Sequence, residues 1–169
     1  MADRISFRPI GIIHSPFTNP AGMPIQPTGA EGVPGRVVID PACRDGLKDL
    51  DGFSHIHLLY AFHLADGFTL HVKPFLDNRL RGVFSTRAPR RPNAIGLSVV
   101  RLVRIEENIL HIEDVDVIDG TPLLDIKPYV PAFDVRPAER TGWLATRAEG
   151  AADVRSDRRF AAPDEREPH

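Results

Sequence analysis

The 169-residue sequence predicts a mainly β fold, a closed or nearly closed β-barrel with short helical segments and long loops. Two observations carry this. Short apolar runs recur along the chain with turn residues between them, and nowhere do they alternate with helical patterns long enough to build a doubly wound sheet. In chain order, Ile5 to Ile13 has apolar residues enough for a strand. Ser15 to Gly35 is so rich in proline and glycine that neither helix nor regular strand survives, and Pro24-Ile25-Gln26-Pro27 stiffens it. Loops of this length in compact domains are commonly functional. Arg36 to Ile39 predicts a short strand, Cys43 to Leu50 one or two helical turns, and Phe53 to Leu64 an alternating strand that carries His55 and His57. Further strands are expected at Phe68 to Val72, Gly82 to Ser85, Leu97 to Ile105, Ile109 to Val117 and Leu123 to Tyr129, with Glu106-Glu-Asn108 as a hairpin turn. From Val135 the chain is charged and poor in large apolar residues apart from Trp143, Leu144 and Phe160. That predicts a packed anchor at Trp143, with a barrel domain over 1–145 and a charged, loosely packed tail over 146–169.

The length suits one domain with a buried core, and a hydrophobic content of 42% is ordinary for a globular protein. Stretches such as Ile56 to Leu64 are too short and too broken by histidine for a membrane span. The start, Met-Ala-Asp-Arg, has no apolar signal-peptide core, so a cytoplasmic protein is expected. A single cysteine, Cys43, excludes an internal disulfide and any Cys-x-x-Cys metal or redox site. There is no Gly-x-Ser-x-Gly elbow, no Gly-x-Gly-x-x-Gly and no phosphate loop, so nucleotide binding by the usual folds is unsupported.

Charge is distributed unevenly. From His71 to Arg104 eight Lys or Arg stand against the single acid Asp77, and from Ile105 to Asp134 eight acids stand against the single base Lys127. The formal net charge of −2 hides this dipolar arrangement, which suits an anionic partner on one surface and a cationic or polar group on another. Arg81 to Ser98 concentrates four arginines with Pro89 and Pro92. Guanidinium groups grip phosphates and carboxylates in a plane, and the prolines reduce the entropy lost on binding. Asp119-Gly-Thr-Pro to Pro131 is a second loop, with turn chemistry at its start and carboxylates at Asp119 and Asp125. His55 and His57 share one face of a strand, with His63 at the same parity, an arrangement that keeps a metal site as a minor alternative; no metal is the primary expectation.

Ile10-Gly-Ile-Ile-His-Ser-Pro-Phe17, Gly52-Phe-Ser-His55, Tyr60-Ala-Phe-His63, Gly82-Val-Phe-Ser-Thr-Arg87, Arg90-Arg-Pro-Asn-Ala-Ile-Gly-Leu-Ser98 and Asp119-Gly-Thr-Pro to Asp125-Ile-Lys-Pro-Tyr129 together resemble the TrmO (YaeB, TsaA-like) family, over about residues 5 to 145 and in the family's order. The resemblance implies a dimeric, single-sheeted β-barrel methyltransferase that uses S-adenosylmethionine and acts on N6 of the threonylcarbamoylated adenosine beside a tRNA anticodon. Its partners are then tRNA, not DNA or a membrane, and a second copy of the chain. The implied cofactor contacts are Pro24, Ile25, Gln26, Phe62, His63, Arg87, Leu97, Ile118, Asp119, Gly120 and Thr121.

Charge and loop placement nominate Arg79, Arg81, Arg90, Arg91 and Lys127 for tRNA phosphates or the carboxylate of the modified base, with Asn93 beside them. The accepting nitrogen must also lose a proton. Asp125, Tyr129, His63 and water stand as alternatives, with Asp125 and Tyr129 the side chains nominated as catalytic. Two departures from the family are visible. Arginine often stands where Ile25 does, and many bacterial members continue into an additional C-terminal domain. A binding module for S-adenosylmethionine without methyltransferase activity, or with another methyl acceptor, is the rival reading.

Overall fold

The computed structural model describes residues 4–160. Six antiparallel strands close into one barrel in the order β1-β2-β7-β6-β3-β8, with β8 returning to pair with β1. The strands are β1 (Gly11–His14), β2 (Gly35–Ile39), β3 (His55–Ala61), β6 (Ile95–Glu106), β7 (Ile109–Glu113) and β8 (Thr121–Pro128). Outside the barrel β4 (His71–Val72) pairs with β5 (Arg81–Gly82). Strict alternation explains the closure. Ile56, Leu58 and Tyr60 of β3 point inward, Val100 and Leu102 follow on β6, Leu110 and Ile112 on β7, and all of them are buried. Ile13, Val37, Ile39 and Leu123 complete the filling from β1, β2 and β8.

The fold class agrees with the expectation, and several boundaries move for local reasons. In the first segment the ladder register starts at Gly11 and backbone bonding reaches back only to Ile10, whose amide donates to the Leu123 carbonyl and whose carbonyl accepts from the Asp40 amide, so Ile5 and Phe7 stay 73% and 64% exposed. Phe68 to Val72 contracts to the two residues of β4. Gly82 to Ser85 is a 3-10 turn over Val83–Ser85 in place of a strand, its end closed by the Thr86 amide on the Val83 carbonyl at 3.1 Å. The segment from Ile109 leaves the sheet after Glu113 because Asp114 takes a φ of 67°, which no strand accommodates. The hairpin between β6 and β7 turns at Glu107, φ 55°.

The antiparallel pairing all round the barrel places the ends of β1, β3 and β7 and the starts of β2, β6 and β8 at the same end. Loops 15–34, 62–94 and 114–120 therefore all emerge there. At this end the barrel interior turns polar, with Tyr60, Ser98 and Thr121 buried among the apolar residues. Gly96 pairs with Tyr60, and a Cβ at Gly96 would run into the Tyr60 ring. Gly96→Ala is expected to lower stability by about 1–3 kcal/mol through forced overpacking, read as a lower denaturant midpoint.

Beyond β8 the chain makes one helical turn, α1 (Pro131–Asp134), and returns to the loop end. Trp143 anchors it, its Nε1 donating to the Ser85 carbonyl at 2.8 Å with the Arg81 guanidinium 5.5 Å from the ring centroid. Further on, Arg155 bridges to Pro24, Ser156 Oγ donates to the Pro20 carbonyl at 2.5 Å, and Phe160 meets Phe75 edge-on at 5.1 Å. Positions 161–169 of the expected tail lie outside the described residues. Among the described residues no helix is long and apolar enough to cross a membrane.

Candidate functional site

The three loops enclose a cavity of about 580 Å3 over the polar end of the barrel, within the roughly 300–1,000 Å3 typical of small-molecule sites. Pro24, Ile25 and Gln26 line it from the first loop, Phe62, His63 and Arg87 from the second, Leu97 from β6, and Ile118 and Thr121 from the third loop and β8. These are all the cofactor residues that the family resemblance implied except Asp119 and Gly120. Those two shape the wall from behind. Asp119 Oδ1 accepts from the Ser15 amide at 3.1 Å and sits 3.0 Å from His14 Nδ1, tying the third loop to the first, while Gly120 supplies a φ of 79°. Burial raises the Asp119 carboxyl, but these bonds to Ser15 and His14 outweigh it and hold the group below its ordinary range.

Hydrogen bonds orient the polar wall. Arg87 Nη1 donates to Gln26 Oε1 at 2.6 Å, joining the second loop to the first. Thr121 Oγ1 donates its only proton to the Ile118 carbonyl at 2.7 Å, so its 3.3 Å contact with His63 Nδ1 is a bond donated by the imidazole. Nε2 of a neutral His63 is then an acceptor.

A half-buried acid of this cavity, Asp116, is not among the residues nominated from the sequence. Ser98 Oγ donates to Asp116 Oδ1 at 2.6 Å and lies 3.0 Å from Tyr60 Oη, so the Tyr60 hydroxyl donates to Ser98 in a short chain ending on the carboxylate. Burial pushes the Asp116 carboxyl up to about 6, against the Ser98 bond and the Arg87 charge. Burial also drives the Tyr60 hydroxyl above its ordinary range, with the Asp116 charge adding to it. A legible signal existed: Asp116 lies between Val115 and Val117, both buried, just ahead of the Asp119-Gly120 turn.

The nominated cations separate into groups. Arg91 and Asn93 line the cavity, with Arg91 Nη1 also donating to the Thr86 carbonyl at 3.1 Å. Arg79 is exposed on the same loop, and Arg90 is half-buried with Nε lacking a partner. Arg81 is engaged elsewhere, donating through Nε and Nη2 to Asp77 Oδ2 at 2.8 and 2.6 Å, a carboxylate that Arg147 also approaches at 3.1 Å. The Arg81 bond holds Asp77 below the usual carboxylate range.

Lys127 pairs with Asp125 at 2.8 Å on β8, away from the cavity. Tyr129 lies beyond that strand, its ring 5.5 Å from His57, whose Nε2 meets Asp134 at 3.3 Å. Tyr129, His57 and Asp134 line a second, larger depression that shares Arg87 and Leu97 with the first. His55 and His57 thus stand by Tyr129 while His63 stands by Thr121, and among the described residues no group of three or more His, Cys, Asp or Glu is placed to hold a metal.

The family model described as the tRNA-methyltransferase O N-terminal domain matches residues 12–135. A probable S-adenosyl-L-methionine-binding protein of Pyrococcus abyssi is 54% identical over 92% of this chain and 85% of its own length. A human tRNA (adenine(37)-N6)-methyltransferase is 31% identical over 95% of this chain and 41% of its own. The crystal structure of TrmO from Pseudomonas aeruginosa superimposes with a TM-score of 0.70 at 39% identity, over 83% of this chain and 63% of that one. The chain thus spans most of the Pyrococcus relative and less than two thirds of the other two. A family match over most of the barrel, a shared fold and these identities agree: the chain belongs to the TrmO family.

Proposed function

We propose that the protein is an S-adenosylmethionine-dependent methyltransferase acting on N6 of an adenosine in tRNA, and that the acceptor is the threonylcarbamoylated adenosine beside the anticodon. The cavity carries the reading: residues that three separate loops contribute converge at one barrel end. The donor set fits the cofactor. Phe62 and Leu97 offer apolar faces for an adenine, Gln26 and His63 offer hydrogen bonds, and Arg87 offers a cation for the methionine carboxylate. When bound, the cofactor supplies a methyl group on a good leaving group, so no metal is required. The protein's own work is to hold the acceptor nitrogen in line and exclude water. Arg79, Arg90, Arg91 and Asn93, on the loop that forms the cavity wall, are the proposed tRNA contacts nearest the chemistry. Homodimer formation and a cytoplasmic site of action belong to the same proposal.

Incubation with methyl-labelled S-adenosylmethionine and tRNA, with and without threonylcarbamoyl-adenosine, followed by nucleoside analysis, tests it. Label on N6 of the modified nucleoside alone is the expected result. Label elsewhere would overturn the acceptor, and binding without transfer would favour a cofactor-binding module. Arg87→Ala is expected to weaken cofactor binding about 10- to 100-fold in calorimetry, since a charge-assisted bond and the bridge to Gln26 are both lost.

A further inference from the structure

Asp116 and Arg87 face one cavity with opposite charges and without each other as ion-pair partners. Among the described residues neither has such a partner within 4 Å. The other acid lining the cavity, Asp157, is taken by Arg159 at 2.7 Å. Arg87 is nonetheless near enough for its charge to act on both Asp116 and Tyr60. The chain from Tyr60 through Ser98 fixes one carboxylate oxygen, Oδ1, and leaves Oδ2 for a ligand. A carboxylate held half-buried without a counter-ion is costly, and a cationic ligand group relieves that cost.

An α-amino acid carries a carboxylate and an ammonium on one carbon, the complement of a cation and an anion that line one cavity without pairing. We propose that Asp116 is the seat of the cofactor's α-ammonium group and Arg87 of its α-carboxylate, so that the pair recognises the amino-acid end of the ligand. This rests on the cofactor reading above and adds the residue that distinguishes an amino-acid-bearing nucleoside from a plain one. The groups facing Asp116 are Tyr60 from β3, Ser98 from β6 and Arg87 from the second loop, and His63 lines the same cavity.

The test is calorimetric titration of wild type and Asp116→Asn with S-adenosylmethionine, S-adenosylhomocysteine and methylthioadenosine, the last lacking the amino-acid end. At pH 7.5 the variant is expected to bind the first two about 10- to 100-fold more weakly and methylthioadenosine as wild type does, which also shows that it is folded. In wild type, affinity for S-adenosylhomocysteine is expected to fall as pH drops toward 5 through protonation of Asp116. The variant retains His63 and is expected to lose most of that dependence. Equal weakening for methylthioadenosine, or no weakening for any ligand, overturns the proposal. Weakening for S-adenosylmethionine alone overturns it too, because Asp116 would then answer the sulfonium. A wild-type protein that binds none of the three overturns the cofactor reading itself, an outcome distinct from the others.

Discussion

Leu123→Ala is expected to lower the unfolding free energy by about 2–5 kcal/mol, the largest effect of any single substitution considered. Leu123 is fully buried and stands on the strand that closes the barrel, opposite Gly11 on β1 and Tyr60 on β3. Truncation removes apolar surface and leaves a void that neighbours on both sides cannot fill without disturbing two ladders, so the transfer and cavity costs add. Two residues earlier, Thr121 holds His63, so part of the loss is expected at the cofactor cavity as well. Urea unfolding checks the first effect, with Leu97→Ala as the control: Leu97 is 54% exposed, and its truncation is expected to stay within about 0.5 kcal/mol. A loss below about 1 kcal/mol for Leu123→Ala would mean that closure does not depend on this contact.

The barrel was legible in the sequence because alternation of apolar and polar residues reports which face of a strand is buried. That is why β3, β6, β7 and their hairpin were found within a few residues. Alternation says nothing about whether a neighbour exists to pair with. Ile5 and Phe7 are apolar enough for a strand and remain exposed, since backbone bonding to the neighbouring strands reaches back only to Ile10.

The cavity was legible for a different reason. Many of its lining residues are ones that the family resemblance implied as cofactor contacts, while Asp116 was absorbed into an expected strand reaching Val117 that leaves the sheet after Glu113. Charge counting located the basic loop but could not assign partners, so Arg81, bound to Asp77, counted equally with Arg79 and Arg90. Long-range pairing of this kind depends on packing that a linear charge pattern does not contain.

Asp116→Asn is expected to stabilise the ligand-free protein at pH 8 by on the order of 1–3 kcal/mol while weakening its binding of cofactor. Burial lifts the folded-state value to about 6 from an ordinary value of 3.8, so between these values the folded chain holds more protons than the unfolded one. Stability from this group therefore falls as pH rises from about 4 to about 6 and stays low above that. Asparagine keeps an oxygen to accept from Ser98 and has no charge to desolvate, so the variant escapes the loss. The difference in unfolding free energy between variant and wild type should accordingly open between pH 4 and pH 6.5 and then hold constant. A constant difference from pH 4 to pH 8 would show that Asp116 is not strained by its surroundings. A gap that opens with pH and closes when saturating S-adenosylhomocysteine is added would show the wild-type carboxylate recovering, from the ligand, the partner that the protein withholds.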